Sequence, residues 1–393
     1  MMHGFEFYTP TRVIFGAGSL EKLPEAVGRC GAKRVFVIYG GQSAKKSGTL
    51  DRVEALLTGA GIAFAAIGGV KPNPRLGLAR EAVREAIAFG ADLILAVGGG
   101  SVIDTAKAAA HGAANPETDI WDIWLGKVKL EKSLPVGVVL TIPAAGSEMS
   151  DSAVLTDEVA LAKRGLTTDL NRPMFALMDP ALAATLPPRQ AACGVTDIMM
   201  HTLERYVNPL KNDMTDEIAE ALLRVVIRHG EAVVKNPGDI DAMSEIMWAG
   251  SLSHNNLTGL GGKKDFSVHQ FGQAIGEKFD IYHGETLSAM WASYARYVAP
   301  TNFARFAQYA RKVWGIVEAD DEKAAMAGID ATEAYFKRLG MPVRIAELSC
   351  GAQDEAGLND LALRCSRNKG RTIGTFRVLD NEDMLKIYQM ANR

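Results

Sequence analysis

At 393 residues the chain is too long for one hydrophobic core and suits two domains. Its 48% hydrophobic and 23% charged residues are the proportions of a soluble globular protein. With 43 Lys+Arg against 46 Asp+Glu the formal net charge is −3, so there is no basic excess to hold nucleic acid or an acidic membrane surface. The four cysteines (Cys30, Cys193, Cys350, Cys365) are widely spaced and form no CxxC pair. That spacing fits neither a disulfide framework nor a thiolate zinc site, and predicts free thiols in a reducing cytoplasm. The first residues have no basic stretch leading into a long apolar one, so no secretory signal is expected. Apolar runs such as 91–97 and 136–142 are far shorter than the ~20 residues a membrane helix needs.

The chain begins with an alternating stretch, 5–15, whose Pro10 suits an edge hairpin better than a central strand. Residues 34–41 (RVFVIYGG) predict a buried strand ending in Gly-Gly. A helix follows over 50–57, then a short strand within 62–70. Residues 76–89 form an amphipathic helix with Leu78, Ala82, Val83 and Ala86 on one face. Strand 92–97, helix 102–110 and strand 136–142 continue the alternation. Continuous apolar strands alternating with helices predict a parallel sheet covered on both faces. The last strand-like run is 175–178. From the Pro187-Pro188 pair onward the periodicity is helical, over 243–252, 289–298, 303–313, 324–337 and 384–390. The expected architecture is an α/β dinucleotide-binding domain with a Rossmann-like parallel sheet over 1–187. An all-α domain over 188–393 follows it.

Gly98, Gly99, Gly100 and Ser101 follow the strand DLILAV and lead into a helix. Residues without Cβ let backbone N–H groups approach a pyrophosphate, and the helix start adds free N–H groups and a positive dipole end. A tight strand-to-helix turn would need one glycine, not three. Within that helix Asp104 is a candidate for a ribose or nicotinamide group, or else half of a surface ion pair with Lys107. After the first strand, Gly40-Gly41-Gln42-Ser43 is followed by Lys45 and Lys46 and carries no carboxylate for a ribose 2′-hydroxyl. That composition favours NADP over NAD.

Seven histidines are present: His3, His111, His201, His229, His254, His269 and His283. Asp197 and His201 are four apart in a helical stretch, hence on one face, with apolar neighbours that make an unpartnered carboxylate costly. His269 and His283 would stand about 21 Å apart in an unbroken helix at 1.5 Å per residue. A reversal after Gly276 would bring them together, and Gly284 would permit close backbone approach. Three imidazoles and one carboxylate suit Fe²⁺ or Zn²⁺ and suit Mg²⁺ or Ca²⁺ poorly. The other four histidines read as ordinary satisfied imidazoles, His254 least securely.

GGGSVIDTAK (98–107), GVKPNPR (69–75), PAAGSEMS (143–150), the run 178–207 (MDPALAATLPPRQAACGVTDIMMHTLERYV) and the HG at 283–284 together resemble the iron-containing, or group III, alcohol dehydrogenases. YGGQSAKKSG (39–48) and WDIWLGK (121–127) are similar to their butanol-dehydrogenase and NADPH-dependent aldehyde reductase branch. The resemblance runs in order over nearly the whole chain. It implies a nucleotide domain facing a helical domain with the metal in the cleft, and hydride transfer between NAD(P)H and a small aldehyde or ketone or the matching alcohol. It implies metal ligands at Asp197, His201, His269 and His283. It implies cofactor contacts at Gly40, Gly41, Ser43, Asn73, Gly98, Gly99, Gly100, Ser101, Asp104, Thr141, Ser147 and Lys163. A homodimer or larger assembly, using the amino-terminal strand, is implied too.

Two positions depart from that pattern. Gln273 stands where many members carry a second histidine, and glutamine is no general acid at neutral pH. Ala145 replaces the threonine of a common Thr-Gly-Ser-Glu run. Apolar candidates for the substrate pocket are Trp121, Trp124, Met149 and Phe266, with Ser152 beside them; each suits core packing equally well. Two alternative functions are a dehydroquinate-synthase-like lyase and a non-catalytic nucleotide- and metal-binding protein. The lyase would want more cations near His269 than Lys263, Lys264 and Lys278.

Overall fold

A computed structural model of the chain describes residues 3–210 and 212–393. The backbone divides into two compact units. One holds Tyr8–Leu186 and Pro237–Ser251; the other holds Pro187–Asn236 and Leu252–Arg393 together with residues 3–7.

The first unit is built on six parallel strands: β1 (Arg12–Phe15), β2 (Arg34–Tyr39), β3 (Ala63–Ile67), β4 (Leu93–Gly98), β5 (Val136–Leu140) and β8 (Phe175–Met178). Two more, β6 (Ser152–Asp157) and β7 (Ala162–Thr167), form a separate antiparallel pair. The six-stranded order is β1-β8-β5-β4-β2-β3. Every residue of β4 and β5 is buried, as continuous apolar strands demand when helices cover both faces. Val37 pairs with Leu95, and Leu95 with Gly137, so the most apolar residues sit at the middle of the sheet. The chain runs outward from β2 to β3 and then crosses back to β4. The strand order therefore reverses between β2 and β4, and ligands of such sheets bind outside the carboxyl ends at that point. Tyr39 and Gly98 end those two strands.

The amino-terminal hairpin does not form. β1 is a parallel edge strand on β8, and residues 3–11 are irregular; the Thr11 hydroxyl bonds the Pro173 carbonyl instead. The β6–β7 pair had no clear sequence signal, because Lys163, Arg164 and Gly165 interrupt β7 with residues poor in strand propensity.

In the second unit the longest helices are Pro188–Tyr206, Asp213–Lys235, His283–Val298 and Asp321–Arg338. Beyond β8 the described residues form helices and loops, with one isolated bridge between Ile373 and Leu379. Trp291, Tyr294, Tyr309 and Tyr335 are fully buried there. Helix Ile240–His254 begins in the first unit, where Met243, Ile246 and Met247 are buried and Trp248 meets Phe15 edge-on at 6.3 Å. Helical periodicity shows that a face is apolar, not which core receives it. Among the described residues no helix is long and apolar enough to cross a membrane.

Candidate metal centre and nucleotide end

Helix Pro188–Tyr206 is buried continuously from Gly194 to Tyr206, so polar residues there must find partners inside the protein. Asp197, His201 and Glu204 fall at i, i+4 and i+7 and share a face. Asp197 Oδ1 lies 3.4 Å from His201 Nδ1, 3.6 Å from His269 Nε2 and 3.8 Å from His283 Nε2. Asp197, His269 and His283 each offer one ligand atom, all within 4.8 Å of one another. His201 joins them through Asp197, its ring centroid 4.6 Å from that of His269.

His269 sits in the first turn of helix Ser267–Phe279, and His283 opens helix His283–Val298. The reversal between them is made by Asp280 in the left-handed region (φ 53°, ψ 38°); Gly276 remains inside the helix. The sequence placed the reversal after Gly276, whereas the helix runs one turn further because glycine only weakens a helix, while a left-handed residue ends it. Gly284 does permit close approach. A Cβ there would lie 2.6 Å from both the Cα and the carbonyl oxygen of Cys193, on the helix that carries Asp197.

Asp197 Oδ1, His201 Nδ1 and His269 Nε2 are buried with no hydrogen-bond partner. Three orphaned polar atoms converging at 3.4–3.6 Å are too far apart to bond each other well. Two ligands on one tetrahedral ion at ~2.1 Å stand about 3.4 Å apart. The donor set fits a divalent metal of the iron or zinc kind.

Electrostatics agree. Burial, together with the charge of His254, drives His201 well below its usual pKa, so it stands as a neutral donor. Burial would do the same to His269, but the Glu204 and Asp197 carboxylates outweigh it and raise His269 to about 9. The two carboxylates thus favour positive charge at His269. Glu204 is a further member of this constellation, beyond the residues the sequence singles out. Its signal was the third polar position on the Asp197–His201 face. His254 also stands closer to the centre than its sequence suggested, its ring centroid 4.0 Å from that of His201.

Gln273 lies one turn beyond His269 and donates from Nε2 to Glu277 Oε1 at 3.2 Å. Phe266 meets His269 edge-on at 5.1 Å, with the Arg205 guanidinium 4.7 Å over its ring. Phe266, one of the pocket candidates, thus packs against the centre. Trp124 is buried, and Trp121 packs, in an apolar cluster with Leu76, Ile123 and Leu155. Both tryptophans thus make core-packing contacts. Met149 is buried, and Ser152 spends its carbonyl on Lys107.

At the nucleotide end, Gly99 precedes helix Gly100–Ala114, whose start has no side-chain cap. A Cβ on Gly99 would meet Ile142 at 2.7 Å, and one on Gly100 would meet Ala145 at 3.0 Å. The glycines thus serve tight packing as well as an open approach for an anion. Thr141 N–H bonds the Gly98 carbonyl, and the Gly40 carbonyl accepts from Gly69 N–H. Ser101 is half-buried, while Gly41 and Ser43 are exposed near Lys45 and Lys46. Asn73 takes φ 57° and accepts from Lys163 Nζ at 3.1 Å, both residues buried.

Asp104 and Lys107 are no surface pair. Lys107 is fully buried and donates to Ser147 Oγ at 2.8 Å and the Ser152 carbonyl at 2.7 Å. Burial lowers its pKa to about 8, despite nearby Asp104. Asp104 accepts from Ser147 Oγ at 2.7 Å and from Val154 N–H at 3.0 Å. Asp104 and Ser147 thus tie the loop at Ser147 and the start of β6 to the helix.

Residues 10–180 match the family described as iron-containing alcohol dehydrogenase, and 190–392 match the C-terminal part of the same family. The chain belongs to the iron-containing alcohol dehydrogenases. It is 36% identical to NADH-dependent butanol dehydrogenase A of Clostridium acetobutylicum, over 99% of this chain and all of that one. It is also 36% identical to the NADPH-dependent aldehyde reductase YqhD of Escherichia coli, over 88% of this chain and 89% of that one. The crystal structure of NADH-dependent butanol dehydrogenase A from Thermotoga maritima superposes with a TM-score of 0.95 at 33% identity, covering 100% of this chain and 99% of that one. The protein is an oxidoreductase of the alcohol dehydrogenase class. The lyase and binding-module alternatives give way to that membership.

Proposed function

We propose that the protein transfers hydride between NADPH and small aldehydes or ketones, reversibly with the corresponding alcohols, at a divalent ion held by Asp197, His201, His269 and His283. The observation that carries this reading is the convergence of orphaned donors on Asp197 Oδ1. The relatives' names supply the substrate class and the nicotinamide cofactor. The family's description favours iron over zinc, although the same ligands hold either ion.

When bound, such an ion supplies Lewis acidity toward a substrate oxygen, and the nicotinamide supplies the hydride. The chain's own groups do the rest. Asp197 brings the negative charge, and the imidazoles act as neutral donors. Phe266 covers one edge of His269 with apolar surface and keeps water from that side. Gln273 neither gives nor takes a proton at neutral pH, so the alcohol proton comes from solvent, a cofactor ribose hydroxyl or another group. Backbone N–H groups from Gly100 and Ser101 at the uncapped helix start take the pyrophosphate. Gly40, Gly41, Asn73, Thr141 and Lys163 shape the rest of the nucleotide site, and Ser43, Lys45 and Lys46 favour a 2′-phosphate. We further infer a cytoplasmic homodimer, supported by the open edge of β1 and by the exposed Phe5, Phe7 and Tyr8 in the preceding stretch of chain.

The test is an aldehyde panel assayed with NADPH and NADH, before and after chelation and after return of Fe²⁺ or Zn²⁺. Chelation-sensitive reduction, faster with NADPH and restored by one ion, is the expected outcome. Undiminished reduction by fully chelated protein would overturn the metal assignment.

A further inference from the structure

We propose that Glu204 is a positioning residue for the metal centre: its carboxylate fixes which nitrogen of His269 faces Asp197, and so sets how tightly the ion is held. The inference rests on the metal reading above. Glu204 is 1% exposed and belongs to the helix that carries Asp197 and His201. Its Oε1 accepts from Val268 N–H at 2.5 Å and from His269 N–H at 3.3 Å, and its Oε2 faces His269 Nδ1. Helix Ser267–Phe279 has no side-chain cap of its own, since Phe266 precedes it in the left-handed region. Asp265 Oδ1 takes Ser267 N–H at 3.1 Å, and the Glu204 carboxylate takes the next two N–H groups of the helix start and grips the imidazole rooted in its first turn.

The consequence is chemical. A neutral imidazole carries one N–H and one lone pair. A carboxylate accepts only, so Nδ1 must hold the proton and Nε2 must present its lone pair. Nε2 is the orphaned atom 3.6 Å from Asp197 Oδ1. The nearby negative charge also makes that lone pair a stronger donor, and such partners outside the ligand set commonly change metal affinity about 10–100-fold. The Glu204 backbone carbonyl, accepting from Asp265 N–H at 2.9 Å, ties the same helix to the loop before His269.

Glu204→Gln keeps the shape and an acceptor for Val268 N–H, but presents an amide to Nδ1 and favours the opposite tautomer. Zn²⁺ affinity is measured by competition with a chromophoric chelator, for wild type, Glu204→Gln and His269→Ala, beside the thermal midpoint of each metal-free protein. The expected result is an affinity loss of about 10–100-fold in Glu204→Gln with a metal-free midpoint close to wild type. Wild-type affinity in Glu204→Gln, while His269→Ala loses the ion, overturns the role of Glu204 and leaves the metal reading standing. Equal, weak binding by wild type and His269→Ala overturns both. A lowered metal-free midpoint with unchanged affinity marks a structural role only and also overturns the proposal. Should Glu204→Gln not fold, ¹⁵N-histidine NMR of the Zn²⁺-loaded wild type decides: Nδ1–H on His269 supports the proposal, and Nε2–H contradicts it.

Discussion

Asp197 Oδ1 and His269 Nε2 face each other at 3.6 Å from different helices, both buried and neither holding a hydrogen bond. In a folded protein such atoms are rare, because each orphaned buried polar group costs about 1–3 kcal/mol. A shared cation removes both penalties at once. His269→Ala is therefore expected to strip the metal and leave the fold intact, with aldehyde reduction falling by at least about 10²–10³-fold, the scale for losing one group that stabilises developing oxygen charge. Metal analysis and circular dichroism alongside the assay check this. Normal metal content with normal turnover would refute it.

The approach of helix His283–Val298 to helix Pro188–Tyr206 depends on Gly284. A methyl group there meets Cys193 backbone at 2.6 Å, and backbone cannot swing aside as a side-chain tip can. Gly284→Ala should destabilise the protein by about 1–3 kcal/mol and weaken metal binding as well, since it pushes His283 from Asp197. Chemical denaturation and metal titration of the same variant give both numbers.

Coenzyme choice is expected to reside in the exposed segment after β2. Replacing Lys45 and Lys46 together by alanine should lower kcat/KM for NADPH about tenfold, with less than about a twofold change for NADH, the scale of two exposed charge contacts. An unchanged NADPH-to-NADH ratio would show that the 2′-phosphate is recognised elsewhere.

His111 supplies a pH signature outside the site. It is fully buried between Ser133 Oγ and Asn171 Oδ1, each at 2.8 Å. Burial, only partly offset by Asn171, lowers its pKa to about 4 from 6.5. Between those values the unfolded chain takes up a proton that the folded one refuses, so this residue makes stability fall as pH drops from 6.5 toward 4. The full effect is about 3 kcal/mol. His111→Gln should be destabilising at pH 7, and its deficit against wild type should shrink by up to that amount at pH 4. Denaturant titrations at both pH values measure the difference.

The strands and helices of the sheet unit were legible because their apolar periods are strong. Helix Leu76–Phe89 coincides with its sequence expectation, and β2 and β4 agree within two residues. The β6–β7 pair was not legible, because its stability comes from side chains it meets in three dimensions, such as Trp124 and Leu76 beneath Leu155. In the site, Asp197 and His201 could be paired from helical spacing alone. His269 and His283 could not be paired by spacing alone, because their meeting depends on a reversal, which Asp280 makes in the left-handed region four residues after Gly276. Lys107 looked like a surface cation, and its burial is explained by Ser147 Oγ and the carbonyls of Ser150 and Ser152, all remote in sequence. Glu204 was hidden for the same reason: its partners, Val268 and His269, are remote in sequence.

Anomalous scattering from crystals of the active enzyme, collected on both sides of the iron and zinc edges, tests the metal centre most directly. A single strong peak within about 2.0–2.2 Å of Asp197 Oδ1 and of one nitrogen each from His201, His269 and His283 is the predicted result. A turnover-competent preparation with no peak among those four side chains would contradict it.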